Sequence, residues 1–541
     1  IMCTLTYFTF FQSYPFGKYL GLNLPPFPLL IWLAITAVIF LIVVSLIYSI
    51  RTYVNMGSQR RYKNQIIGQK FLGKTWKFIL VSCLLGSLVY ISSLLPDILG
   101  KIIAGTSISI GTILGFFQYK ITINEGSSKR GGLPTAAIYI AAFALNYGLL
   151  LSAFMLREYF LDPFTFFILI IVTILLSVFV NLNFVGLHRM YRDRLMETFL
   201  PNAKSVIDNK WHAATDANDA LLENMCDQSR RPYHLINTNI VLVDSPTAKF
   251  RGRGGDSFLL SKLFCGSDAT SYKPTNEYMK RGSTGISLAT AMAISGAAVN
   301  PHTGSAGRGP TRNALVSALL GILNLRLGFW AQNTKSKKII ATPPNFLKPG
   351  LNGDLLGGNL SENKDDIQLT DGGHFENLAL YELIRRKAKV IIISDAGADV
   401  NYQFGDLANA IEKVRVDFGV KIRFDKKYNL NKLLPCSSTD DKLSTEKFQL
   451  SEHGFAVADI DYLDKEKTEG KLIYLKSTLT SGLPVDIYGY KSKHPDFPNQ
   501  TTANQFFNEE QFEAYRELGY QLTWQMLNSE ICQKILGIKE K

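Results

Sequence analysis

Leu369-Thr370-Asp371-Gly372-Gly373-His374-Phe375-Glu376-Asn377 runs into a helical pattern over 376–387 and then into the continuous apolar run 390–394. A short apolar run bounded by turn residues reads as a buried strand of the parallel type. The order turn, helix, strand therefore predicts an α/β fold. An aspartate held on a turn by two glycines sits where backbone and substrate can approach closely. A carboxylate there can act as general base when a hydroxyl lies within hydrogen-bond reach. The plain alternative is an ordinary Asp-Gly turn in which Asp371 caps the helix that follows.

Outward from this stretch the alternation continues. Residues 234–243 and 256–265 predict strands, 285–298 a helix of small residues, and 311–327 an amphipathic helix. Further helices are expected at 406–418 and 509–527. Strands separated by helices predict one α/β domain over 188–541, with a mixed or mostly parallel sheet covered by helices. Residues 331–366, with Pro343, Pro344 and Pro349, read as a long loop or insertion, and 436–447 as a second surface loop.

Residues 1–187 differ in kind. Residues 27–50 are uncharged, a run of about 24 that is long enough to cross a hydrocarbon core. Similar runs follow at 78–95, 98–119, 133–155 and 164–187, so a multi-pass helical membrane region is expected over 1–187. The third run carries Gly111 and Gly115, whose spacing suits close helix packing in lipid. Basic clusters at 51–77, at Lys120, Lys129 and Arg130, and at Arg189, Arg192 and Arg194 fall on one face if there are five spans. The positive-inside rule makes that face, and the large domain with it, cytoplasmic at the cell membrane. No Asp, Glu or Arg lies deep within a run, which argues against a transporter.

The chain has 541 residues, 47% hydrophobic and 19% charged, with a net charge of +13 that sits mostly in its first third. The domain that follows shows no basic stripe, so no nucleic-acid partner is expected. Six cysteines without a Cys-x-x-Cys pair and seven histidines without metal-ligand spacing predict neither a disulfide framework nor a zinc site.

The order Asp-Gly-Gly, helix, apolar strand and Asp395-Ala396-Gly397 resembles the second half of a patatin-like phospholipase. Residues 291–301 resemble the segment of that family in which a Ser-Ala pair precedes a proline. Tyr191-Arg192-Asp193-Arg194-Leu195, Arg251-Gly252-Arg253-Gly254-Gly255-Asp256 and Gly307-Arg308-Gly309-Pro310-Thr311-Arg312 resemble its membrane-embedded bacterial branch. The resemblance covers most of 188–400. It implies a lipid acyl hydrolase with a Ser–Asp dyad, no metal or other cofactor, and membrane lipids as substrate and partner. In such a dyad Asp371 takes the serine proton directly, the serine oxygen attacks the ester, and water releases the acyl-enzyme. Gly372 and Gly373 shape the aspartate's turn. His374 is a candidate for touching substrate, with turn packing as its plain alternative. Arg308 and Arg312 are candidates for a phosphate headgroup; surface solubility or structural pairing is the alternative for them and for Arg251 and Arg253. Asp395, at a strand end, is open to either ligand contact or capping.

The family's nucleophile lies in Gly-x-Ser-x-Gly, a strained turn that exposes the hydroxyl. That pattern is absent from the sequence, and Ser295 lacks its first glycine. One expectation is that the serine-bearing half precedes residue 1. The non-methionine start and the odd span count favour it, since an even number must separate serine from aspartate and residues 1–11 read as a stub of a sixth. The other is a catalytically silent membrane scaffold with a degenerate hydrolase domain.

Overall fold

The computed structural model describes residues 163–200, 207–208, 215–225, 232–281, 286–304, 310–336, 342–435, 448–463, 468–501 and 507–538, with isolated positions between 36 and 47. These residues fall into two units, one ending at Phe375 and the other beginning at Glu376.

The first unit is built on a six-stranded sheet of β1 (Leu235–Val241), β2 (Gly255–Ser261), β3 (Phe264–Ser267), β4 (Ser271–Pro274), β5 (Phe329–Gln332) and β6 (Asp366–Asp371). Their order is β4-β3-β2-β1-β6-β5. Its helices are α1 (Pro163–Phe179), α2 (Leu187–Phe199), α3 (Ala248–Arg253), α4 (Thr275–Arg281), α5 (Leu288–Ser295) and α6 (Ala314–Ile322). Alternation along β1 puts Ile236 and Ile240 on one face, where they join Phe258, Leu260, Ile367 and Leu369. Ala291 and Ile294 of α5 close this core, and the small residues of α5 let it lie close to the sheet. The opposite face is buried and mixed, with Val241 and Trp330 packed against Leu182 and Leu360 beside a polar network. There Gln368 Nε2 donates to Asp354 Oδ1 at 2.5 Å, and Trp330 Nε1 donates to Asp354 Oδ2 at 3.1 Å. Arg326 completes a buried ion pair with the same carboxylate.

The second unit carries β7 (Val390–Asp395), β8 (Lys421–Phe424), β9 (Phe455–Asp461) and β10 (Glu469–Lys476) in the order β7-β10-β9-β8. Its helices are α7 (Leu380–Arg385), α8 (Gly405–Phe418), α9 (Val485–Lys493), α10 (Glu509–Leu527) and α11 (Glu530–Leu536). Met526 of α10 and Cys532 of α11 cover Phe455, Val457, Ile473 and Leu475. Helix α7 packs on β7 and α8, and the Tyr381 hydroxyl donates to Asp417 at 2.7 Å. At the end of β7 the Asp395 carboxylate accepts from Tyr474 Oη (2.5 Å) and Gly397 N (2.8 Å) and pairs with Lys476 Nζ at 3.2 Å. Of the two roles open to Asp395 in the sequence, the structure places it in a closed capping and ion-pair network.

The expected fold class is corrected on two counts. The first is the multi-pass helical region. Among the described residues no helix is long and apolar enough to cross a membrane. The runs 78–95, 98–119 and 133–155, and all but isolated positions of 27–50, lie outside the described residues. The run 164–187 forms α1 only as far as Phe179, 17 residues, which at 1.5 Å each is about 25 Å against a core of about 30 Å. Beyond it, tertiary hydrogen bonds take the chain. Leu182 N donates to Pro344 O at 2.8 Å, and the Asn183 amide exchanges two bonds with the Trp330 backbone at 2.7 and 3.0 Å.

The second count is the single mixed or mostly parallel sheet. The first sheet is wholly antiparallel, and in the second only β7 and β10 run parallel. The segment 256–265, expected as one strand, folds at Lys262-Leu263 into the β2–β3 hairpin, with Ser261 Oγ bonded to the Phe264 backbone. Strand β7 is an edge strand: Ile391 and Ile393 are buried, while Val390 and Ile392 are exposed.

Asp256 lies buried on the core face of β2, accepting from Ala269 N at 3.3 Å. Burial, and next the Asp268 carboxylate, push its carboxyl up to about 7; the Ala269 and Ser257 amides and Lys249 act the other way. A raised folded value means that between about pH 4 and 7 the folded state keeps a proton that the unfolded chain has lost. Stability from this group is therefore full below pH 4 and falls as pH rises to 7. Asp256→Asn is expected to flatten that slope and to stabilise the first unit above pH 7 by about 2 kcal/mol, with about 4 as the ceiling. Urea unfolding at pH 5 and pH 8 checks it; a variant as pH-sensitive as the wild type removes Asp256 as the cause.

Candidate functional site

Asp371 is the last residue of β6, paired with Thr238 of β1, and is half-buried. Its Oδ1 accepts the Gly373 amide at 2.7 Å and so caps the 3-10 turn Gly372–His374. The cap is thus on the glycine turn and not on α7, which begins at Leu380. Buried Glu376 serves α7 instead, accepting from the Leu378 and Tyr381 amides. A Cβ on Gly372 would lie 2.8 Å from Asn237 Nδ2 and 3.0 Å from Asn237 O, so a side chain there would force the turn off β1.

The end of α5 lies against the same turn. Asp371 N donates to Ala297 O at 3.3 Å. Ser295 Oγ donates to Asn237 O at 2.7 Å. The fold thus brings together the Asp-Gly-Gly turn and the segment 291–301, but it commits the Ser295 hydroxyl to a backbone carbonyl rather than to Asp371.

Helix α2 supplies a third contributor. Buried Arg192 fixes α2 by donating to Asn218 Oδ1 (2.7 Å) and to Ser287 Oγ (3.1 Å), the hydroxyl that caps α5. Arg192 and Arg189 both pair with buried Asp193. So anchored, Tyr191 lays its hydroxyl over Gly296. Burial, and then the Asp371 charge, raise the Tyr191 phenol above the usual range. Tyr191 went unassigned in the sequence because only the packing of α2 on α5 shows where it points; the signal was the glycine at 296 opposite it.

His374 is buried with both ring nitrogens engaged, Nδ1 with Thr370 Oγ1 at 2.9 Å and Nε2 with Ala298 O at 3.1 Å. A carbonyl can only accept, so Nε2 carries the proton and Nδ1 accepts from Thr370, whose oxygen in turn accepts from Asn239 Nδ2. Burial lowers this imidazole to about 4, so it is neutral at physiological pH.

Among the described residues, Arg312 and Arg251 are not gathered at Asp371. Arg312 is exposed and lies beside Gly254, where a Cβ would sit 3.4 Å from Nη1. Gly254 leads into the residue paired with Val241, at the far end of β1 from the Asp-Gly-Gly turn. Arg251 donates to Ser245 O at 2.7 Å, a structural pairing. Arg308 lies outside the described residues. Among the described residues no three His, Cys, Asp or Glu are grouped to hold a metal ion.

No family model, curated protein or solved structure matches the chain. What the geometry offers chemically is a half-buried carboxylate fixed by a backbone amide, with a phenol laid over the half-buried end of a helix of small residues. Such a carboxylate can accept a proton from a hydroxyl brought to it.

Proposed function

We propose that the chain carries the base of a patatin-like lipid acyl hydrolase, a serine-type ester hydrolase in which Asp371 takes the nucleophile's proton. The observation that carries this reading is the Asp371 carboxylate. It is ordered by the Gly373 amide, reachable from solvent, and set on a turn that only glycine at 372 lets lie so close to β1. A lipid substrate is supported by α1. It has no charged residue, and none of residues 171–180 is buried, with Phe164 and Phe179 73% and 68% exposed. Apolar surface of this extent is stabilised by an apolar phase, and lipid supplies one. The protein then works at the cell membrane.

A second reading, a catalytically silent membrane scaffold, is favoured by the engagement of Ser295 with Asn237 and of both His374 nitrogens. Fluorophosphonate labelling and hydrolysis of phospholipid vesicles by the full-length native protein, with and without Asp371→Asn, separate the two. Labelling of one serine that slows sharply in the variant supports the hydrolase. Neither labelling nor hydrolysis in the wild type selects the scaffold.

A further inference from the structure

We propose that Tyr191 is a second residue of the Asp371 site, its hydroxyl donating a hydrogen bond to the substrate oxygen on which negative charge develops. The chemistry rests on the hydrolase reading; the placement rests on geometry. A Cβ on Gly296 would lie 2.6 Å from Tyr191 Oη, with the nearest ring carbons at 3.5 Å. Gly296 has φ −101°, a conformation open to any residue, so what requires glycine here is room for the hydroxyl. One residue further on, Ala297 O holds the Asp371 amide at 3.3 Å. The phenol and the backbone of Asp371 thus meet the chain at adjacent residues, Gly296 and Ala297.

Among the described residues the Tyr191 hydroxyl has no hydrogen-bond partner, although the ring is half-buried. A phenol in such a place usually finds one. Burial, and after it the Asp371 charge, keep it in its protonated, donating form. In acyl transfer the nucleophile's proton passes to Asp371 and a bond forms from its oxygen to the carbonyl carbon. The carbonyl electron pair moves onto oxygen, and Tyr191, keeping its proton, stabilises that charge. Donors aimed at a developing oxyanion act mainly in the transition state.

The test uses Tyr191→Phe and Gly296→Ala, singly and together, in the full-length protein with a water-soluble short-chain ester. Tyr191→Phe is expected to lower kcat about a hundredfold with KM within about threefold. Gly296→Ala is expected to lower both kcat and the thermal midpoint by pushing the hydroxyl aside, but to add little once Tyr191 is Phe, since the crowded oxygen is gone. Additive losses, or an unchanged kcat in Tyr191→Phe, overturn the proposal. A separate arm needs no activity: the 19F signal of fluorotyrosine at 191, assigned by Tyr191→Phe, is titrated with and without Asp371→Asn. A lower midpoint in the Asn variant supports the shared site even where the wild type hydrolyses nothing and the hydrolase reading falls. An unmoved midpoint overturns it.

Discussion

Asp371→Asn is expected to reduce kcat for ester hydrolysis by about a hundred- to ten-thousandfold while leaving the fold in place, which is the usual range for a positioned general base. The substitution is chosen for what it keeps. Asparagine retains an Oδ1 to accept the Gly373 amide, and as a capping residue it is nearly equivalent to aspartate, so the turn Gly372–His374 should form unchanged. What it loses is basicity. A base acts as the proton moves, so the loss should fall on kcat and on kcat/KM alike, with KM little altered. A raised KM with kcat intact would instead make Asp371 a binding residue. Equal hydrolysis by both proteins would remove it from the chemistry. Circular dichroism and a thermal midpoint within a few degrees of wild type show that the fold has survived.

The Asp-Gly-Gly turn was legible because its logic is local, an aspartate capping its own turn; the close approach of Asn237 that requires glycine at 372 is long-range and was not. Its neighbours were legible only in part. That residues 291–301 lie beside it follows from the packing of α5 on β1 and β6, a long-range contact that no local pattern encodes. The position of Arg312 beside Gly254 is likewise a long-range contact, and its spacing from glycines in the sequence carried no information about it.

The sheet was misjudged for an identifiable reason. Lys262-Leu263 is a two-residue hairpin connection without the Gly, Asn or Asp that usually marks one, so 256–265 looked continuous. Val390-Ile391-Ile392-Ile393 is apolar at every position, and alternation of burial at a sheet edge cannot be read from such a run. The boundary between the two units falls inside the quoted stretch, between Phe375 and Glu376, with no linker composition to announce it. The end of α1 is likewise set by Asn183 engaging Trp330, 147 residues away.

The second unit should be most sensitive at Lys476. Lys476→Met is expected to destabilise it by about 3–5 kcal/mol, the usual result of removing one partner from a buried ion pair. Side chains 476 and 395 are 2% and 5% exposed, so water cannot replace the lost ammonium. Lys476 Nζ also donates to Gly397 O at 2.6 Å, holding the chain just after β7 against the end of β10. In its absence the Asp395 carboxylate keeps only Tyr474 Oη and Gly397 N, and its charge stays buried without a counter-ion. Burial and that same carboxylate already drive the Tyr474 phenol up, so Tyr474 remains a donor and cannot share the charge by ionising. Removing the charge as well should therefore recover much of the loss: Lys476→Met with Asp395→Asn is expected to be less destabilised than Lys476→Met alone. The comparison is made on the urea transition of the second unit, following Trp524 fluorescence. A single variant within about 1 kcal/mol of wild type, or a double variant worse than the single, would show that the carboxylate is stabilised by its hydrogen bonds and not by the lysine.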